Sequence, residues 1–426
     1  ICHLINRYFP FGLGLDVPIG QLPHLSVNNL VASLFEVQRQ DLSEWAARAS
    51  IKIAIVNSQP KNVFNDYPIF EAIRSAGHEA AYFMGPVESS TELLKAGMDL
   101  DGTYLIAGEN LSECDVDLLF STSPQAAHLS NNAGKVLIPH DIAGHPRGAL
   151  SDEQSIEPIP DYALFDYFLT TNDRMAADLG AFIVENDQLL DRVDSMTLSK
   201  RRRSVRRLVP SGYSKLDYNI KQVKLVNTDN NVSSVLIFPT DYTVHPGGIS
   251  PKIAQEVIEY LLNNFPDRQI IFRPHPNNNL NNSAGIRNIY ESMKSNPRFE
   301  FDDDTNYLSV WARASVMVTD FSGGAMTFAC TTGRPTLFFN PVDKSAQRAE
   351  RGGILLFMDE LGLTVETLEE VAPALTELLD PAGKWPQRIA AFNRSAVYNI
   401  GAAADYIASV IPQLLTDETP AGWAEL

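Results

Sequence analysis

The sequence predicts an α/β protein built from two doubly wound parallel sheets. Short apolar runs recur along the 426 residues, each ending in a polar turn that leads into a stretch with helical spacing. The pattern occurs twice, on either side of a polar linker placed at 218–233, around the run VNTDNNVSS. In both halves the chemically loaded residues, histidine, aspartate and serine, cluster just after the apolar runs. Parallel open sheets bind their ligands at those strand ends.

The first half is introduced by residues 1–50. ICHLINRYFPFGLGLDVPIG is apolar and broken by proline and glycine, and reads as an extended arm. Val27 to Ala49 follows at helical spacing. Packing against the body is the simpler reading of this region; a contact with a membrane surface or a partner is the other. The N-terminal domain is assigned to 51–217. Its strands are read at 51–56, Ala80 to Met84, Val116 to Phe120, Lys135 to Ile138 and Tyr167 to Leu169. Helices are read at Tyr67 to Gly77 and from about Arg174 to Leu208. The opening unit lacks GxGxxG, so no dinucleotide is implied. After the linker, the C-terminal domain spans 234–385. Its strands are read at Val235 to Phe238, Gln269 to Phe272, Val316 to Val318 and Pro335 to Phe339, with a further one at Ile354 to Phe357. Helices are read at Pro251 to Asn263 and Tyr307 to Ala314. Residues 386–426 form a tail with one long helical pattern, Arg388 to Leu415, that packs back.

Composition narrows the function. A hydrophobic share of 44% and a charged share of 20% fit a globular protein. The net charge of -18 argues against nucleic acid as a partner. One run is locally basic: Lys200, Arg201, Arg202, Arg203, Arg206 and Arg207. It reads either as a solvated helix face or as a docking site for an anionic membrane surface. Three scattered cysteines give neither a disulfide framework nor a metal-ligand spacing. No apolar run is long enough to cross a membrane, and Ile1 to Gly20 lacks the features of a signal peptide. The expected location is therefore cytoplasmic.

The densest stretch is VMVTDFSGGAMTFACTTGRPTLFFNP, Val316 onward. A strand ends at Thr319-Asp320, the turn Phe321-Ser322-Gly323-Gly324 follows, and a helix opens there. Unpaired amides at a helix start, a serine hydroxyl and two glycines make an anion site suited to a diphosphate. The plainer reading is an ordinary turn in which aspartate or serine caps the helix. Four other segments carry candidate chemistry. Pro139-His140-Asp141 offers an imidazole that can take a hydroxyl proton. Arg273-Pro274-His275-Pro276 offers a proline-held imidazole beside a guanidinium suited to phosphate. Phe238-Pro239-Thr240-Asp241-Tyr242 offers a carboxylate that can be base, nucleophile or anchor. Ser211-Gly212-Tyr213-Ser214-Lys215 adds a hydroxyl and an amine. Asp302-Asp303-Asp304 reads as a solvated turn rather than a metal site. Walker A, HExxH and GxSxG are absent.

Taken in order, these segments resemble the CDP-glycerol glycerophosphotransferase family, which includes teichoic-acid and capsule polymer transferases. Ile138-Pro139-His140-Asp141 stands where that family has Trp-His-Gly. Phe165 to Leu169, Ser211 to Asp217, Ile237 to Tyr242, Arg273 to Pro276 and Val318 to Gly323 with Arg334-Pro335 follow in the family's order, over about residues 51–410. The resemblance implies a GT-B fold: two Rossmann-like domains facing a cleft, with a C-terminal helix closing back. It implies a cytidine-nucleotide donor, no cofactor and no metal, with His140 and His275 as the essential pair. Arg273, Thr240, Asp320, Ser322, Gly323, Gly324, Ser211 and Lys215 would line the donor site. It implies a glycerol- or polyol-phosphate passing from a CDP-alcohol to a hydroxyl on a glycan or lipid-linked polymer at the inner face of the plasma membrane. Three positions depart from the family's pattern: Asp141 replaces glycine, Asp241-Tyr242 replaces Trp-Arg, and Gly323 replaces a second serine. A carboxylate at 241 suits sugar transfer, so a glycosyltransferase using a CMP-sugar or UDP-sugar, with Asp241 catalytic, is the competing reading. A non-catalytic nucleotide- or polymer-binding scaffold is the third.

Overall fold

The computed structural model describes residues 40–58, 62–85, 98, 101–105, 115–130, 132–142, 162, 164–190, 205–226, 233–243, 247–281, 283–304, 306–340, 357–416 and 418–426. The N-terminal half contains α1 (40–48), β1 (Ile53–Asn57), α2 (Val63–Ser75), β2 (Ala80–Met84), β3 (Thr103–Leu105), β4 (Leu118–Ser121), β5 (Gly134–Leu137), β6 (Tyr167–Thr170), α3 (Asp173–Leu190), β7 (Arg207–Pro210) and α4 (Ser214–Val226). The second half contains β8 (Ser234–Ile237), α5 (Pro251–Asn264), β9 (Ile270–Phe272), α6 (Ala284–Met293), β10 (Phe299–Phe301), α7 (Leu308–Arg313), β11 (Ala314–Thr319), α8 (Gly324–Thr332), β12 (Thr336–Phe339), α9 (Met358–Leu361), β13 (Gly362–Val365) and α10 (Leu368–Leu378). The tail contains α11 (Trp385–Ala396), α12 (Ala403–Ser409), α13 (Ile411–Thr416) and β14 (Ala424–Glu425).

The first sheet runs β14-β7-β6-β5-β4-β1-β2-β3, parallel except where β14 pairs antiparallel with β7. The second runs β10-β9-β8-β11-β12-β13 and is parallel throughout. Each winds outward from its first strand in both directions, so the order reverses between β1 and β4 and between β8 and β11. Loops on the two sides diverge there and leave a crevice at the strand ends. The strands read as apolar because helices cover both faces; every residue of β1, β2 and β8 is buried. This is the α/β architecture of two doubly wound sheets that the sequence predicts.

Several boundaries differ from the sequence reading. Residues 214–226, partly assigned to the linker, form α4, whose Leu216 and Val223 join the second domain's core. Of the helix expected over 174–208, α3 covers the start, 191–204 lie outside the described residues, and 207–210 are a strand. The long tail helix is three helices. Val397 leaves α11 in an extended conformation, and Asn399 and Gly401 take positive φ before α12. The arm read over Ile1 to Gly20, most of the helix from Val27 and residues 354–356 of the strand read at Ile354 to Phe357 fall outside the described residues, while Phe357 itself is the residue that precedes α9.

The tail is built into the first domain. Ala404, Ile407, Ile411, Leu414 and Trp423 share one core cluster with Ile55, Tyr67, Phe70, Phe120 and Tyr167. Asp217 of α4 accepts from the Gly401 and Ala404 amides at 2.7 and 3.2 Å and so fastens the start of α12. Among the described residues no helix is long and apolar enough to cross a membrane.

Candidate active site

The strand ends beside the β8–β11 switch point carry most of the candidate residues. Asp320 follows β11 and is fully buried. It accepts from the Thr240 amide at 3.1 Å and the Ile249 amide at 2.9 Å, tying two neighbouring loops to its own turn. Burial raises its pKa against the pull of those amides. Both carboxylate oxygens are engaged by backbone amides. Thr240 contributes one of those amides. Ser322 opens the turn, and its Oγ accepts from the Gly324 amide at 3.2 Å while the Ala325 amide bonds the Ser322 carbonyl. The hydroxyl proton of Ser322 remains to be donated. Gly324, expected to offer its N–H to phosphate, instead directs it to Ser322. It is glycine for want of room, since a Cβ would stand 2.7 Å from the Phe238 ring.

His275 follows β9. Its Nδ1 accepts from the Asn277 amide at 3.2 Å, which places the proton of the neutral ring on Nε2. Asp241 Oδ2 lies 3.8 Å from the same Nδ1. Asp241 accepts from the Thr243 amide (3.0 Å), the Thr243 hydroxyl (2.6 Å) and Asn277 Nδ2 (2.8 Å). Burial pushes its pKa up, but the bonds from Thr243 and Asn277 outweigh this and hold it well below the usual carboxylate range. The carboxylate is therefore an ionised anchor for the His275–Asn277 turn.

Arg273 was expected to lie open to phosphate. It is buried, ion-paired with Asp302 and stacked over Tyr307 at 5.8 Å. Its charge is already answered, and Asp302, expected in a solvated turn, is the partner. Lys215 reaches the same Tyr307 ring, at 5.7 Å. Ser211 is a correction of another kind. It is fully buried at the end of β7, and its hydroxyl is directed at the Thr170 and Gly212 carbonyls at 3.3 and 3.1 Å.

The first domain presents residues 138–142 to this site from the end of β5. His140 is exposed and its backbone is held on several sides. Asn65 Nδ2 donates to the Pro139 carbonyl at 3.1 Å, and Tyr213 Oη to the His140 carbonyl at 2.8 Å. Thr171 and Asn172 donate to the Ile142 carbonyl at 2.6 and 3.2 Å. The next side chain, Asp141, lies against Gly323: a Cβ built there would be 2.6 Å from Asp141 Oδ2. So Asp141 meets the Ser322–Gly324 turn, Asp320 of that turn meets Thr240, and Asp241 meets His275. Tyr213 joins the 211–217 segment to the same group. All five strand-end segments form one connected site between the domains.

Residues 206–413 match the family model of CDP-glycerol:poly(glycerophosphate) glycerophosphotransferase. The match spans just under half of the chain, from the end of the first domain through the second and into the tail. The chain has no match among proteins of curated function. Solved structures resemble it along most of its length. A wall teichoic acid polymerase, TagF, is 15% identical with a TM-score of 0.55, covering 92% of this chain and 96% of that one. A putative UDP-N-acetylglucosamine 2-epimerase from Listeria monocytogenes is 12% identical with a TM-score of 0.58, covering 87% and 98%. The UDP-GlcNAc 2-epimerase of Methanocaldococcus jannaschii is 15% identical with a TM-score of 0.56, covering 85% and 99%. These likenesses establish the GT-B fold.

Residues that position the site but were missed in the sequence are Asn65, Tyr213, Asn277 and Tyr307. Asn65 gave a signal, as one of two adjacent polar residues in the otherwise apolar first half of its helix, VFNDYPIF. The basic run needs a correction. Arg206 and Arg207 are buried, and Arg207 donates to Thr419 and lies 3.8 Å from Glu425 at the β7–β14 edge. Lys200, Arg201, Arg202 and Arg203 lie outside the described residues. Among the described residues no group of three or more His, Cys, Asp or Glu side chains could hold a metal ion.

Proposed function

We propose that this transferase moves a glycerol- or polyol-phosphate from a CDP-alcohol to a glycan hydroxyl in the synthesis of a bacterial surface polymer. The observation that carries the reading is the contact of the His140–Asp141 segment with the Ser322–Gly324 turn, which sets a base against an anion site. His140 takes the proton of the acceptor hydroxyl, and the oxygen attacks the phosphorus that bears the alcohol. The new oxygen–phosphorus bond forms as the bond to the bridging oxygen of the diphosphate breaks, and CMP departs. Charge grows on the leaving phosphate. In this reading the Ser322 hydroxyl, the positive end of α8 and the Nε2 proton of His275 offset that charge. Asp241 keeps the His275 turn in place. Its bonds to Thr243 and Asn277 favour that role over sugar-transfer catalysis. The acceptor polymer is reached at the inner membrane face, with Lys200 to Arg203 supplying attraction to anionic lipid.

The test compares CMP release from CDP-glycerol with release from a CMP-sugar, for the parent chain and for His275→Ala. The expected outcome is turnover of CDP-glycerol only, falling about a thousandfold in the variant while the thermal midpoint stays put. Turnover of the CMP-sugar alone would restore the glycosyltransferase reading. Binding of CDP-glycerol without turnover across several acceptors would favour a scaffold.

A further inference from the structure

The donor turn already carries an anion, supplied by the other domain. Gly323 precedes α8 with a φ of -58°, a conformation open to any L residue. Space is what restricts it. A Cβ there would stand 2.6 Å from Asp141 Oδ2, 3.3 Å from its Cγ and 3.4 Å from its Oδ1. A carboxylate at the amino end of a helix is favoured by the helix dipole. Here the carboxylate lies against Gly323, the residue that opens α8 and whose neighbouring amides a diphosphate would meet.

The backbone that carries Asp141 cannot withdraw easily. The carbonyls of Pro139, His140 and Ile142 are each held by side chains of the first domain. With the backbone fixed, the carboxylate leaves the turn by rotating about its own side-chain bonds. The same charge bears on the first domain's own site residue. The Tyr213 phenol, which holds the His140 carbonyl, has its pKa raised by burial and then by the Asp141 charge. Asp141 therefore stands between the group that fixes His140 and the turn that receives the donor.

We propose that Asp141 is a gate on the donor turn, covering it when no donor is bound and swinging aside when the diphosphate enters. It thereby sets donor affinity and makes loading sensitive to ionic strength. The proposal rests on the reading of this turn as the diphosphate site. Asp141 and Gly323 form a matched pair, in which the carboxylate fills the volume that a side chain at 323 would need.

Calorimetric titration of the full chain with CDP and with inorganic pyrophosphate tests the gate. Asp141→Asn removes the charge at constant shape, and Asp141→Gly removes the cover as well. Both variants should bind each ligand about three- to tenfold more tightly than the parent, with a gain that shrinks as salt is added. Gly323→Ala should weaken binding in the parent and recover in combination with Asp141→Gly. Unchanged or weaker binding in both Asp141 variants, with the parent binding CDP normally, overturns the gate and leaves the donor site standing. Failure of every variant to bind either anion overturns both. A Gly323→Ala defect that Asp141→Gly does not relieve shows that the pair is not matched.

Discussion

A carboxylate that already accepts three hydrogen bonds has little basicity left, and Asp241 is in that position. Its two oxygens hold Thr243 on one side and Asn277 on the other, 3.8 Å from the His275 ring. Asp241→Asn keeps the size but replaces one oxygen by a donor, which sets the new amide against that of Asn277. The expected result is a fall in turnover of about tenfold, in line with the loss of one or two charged hydrogen bonds of roughly 1.5–3 kcal/mol each, partly relaxed. A nucleophile or general base at this position would lose several further powers of ten. Steady-state kinetics on the variant separates the two. The sequence shows Asp241 at a strand end but not what surrounds it. Thr243 is two residues away, while Asn277 arrives from another strand, so the choice between base and anchor is made by a contact that spacing cannot display. The same holds for Arg273, whose partner Asp302 lies 29 residues on.

At the scale of elements, strands were legible where both faces are buried. The reading of β2 as Ala80 to Met84 coincides with the structure because five consecutive apolar residues admit little else. Strands β3, β10, β13 and β14 are two to four residues long and mix polar with apolar positions, so they carry no usable period. Helix α4 was hidden by the polar run that follows it. One helix carries a measurable signature. Asp66 of α2 is fully buried at the end of β1, accepting from Tyr82 Oη at 2.5 Å and Asn57 Nδ2 at 3.0 Å. Burial pushes its pKa from 3.8 up to about 7. The folded chain then keeps a proton that the unfolded chain releases near pH 4. This contribution to stability is complete below about pH 4 and is lost as pH rises through about 7. Denaturant titrations across that window should show the parent losing up to about 4 kcal/mol, with a flatter profile for Asp66→Asn. Asp217, pushed by burial up to about 6, adds a smaller loss of the same sign over a narrower window.

For the molecule as a whole, the critical joint is where the chain returns from the second domain to the first. The Tyr398 amide donates to the Thr171 carbonyl at 2.8 Å, and Asn399 Nδ2 donates to the Pro210 and Ser211 carbonyls at 2.9 and 3.2 Å. Gly212 lies beneath this joint with φ of 88°, and a Cβ on it would meet the Tyr398 carbonyl oxygen at 2.2 Å. Gly212→Ala should therefore cost about 3 kcal/mol or more, from left-handed backbone strain of roughly 1–2 kcal/mol plus the displaced carbonyl. Thermal unfolding should show the loss. Because Tyr213 is the next residue and holds the His140 carbonyl, donor turnover should fall at temperatures where the variant is still folded.

The same return of the chain decides how the gene can be cut. Residues 403–414 and Trp423 complete a core whose other wall is made by residues 53–209, so the first domain is discontinuous along the polypeptide. A coding sequence stopped at residue 396 removes an inner wall of the first domain, not a dispensable end. Cutting at the polar run near 230 yields two fragments, neither of which is a domain. Exchange of the donor half between relatives must therefore insert a middle piece, about residues 214–396, between two flanks kept from one parent.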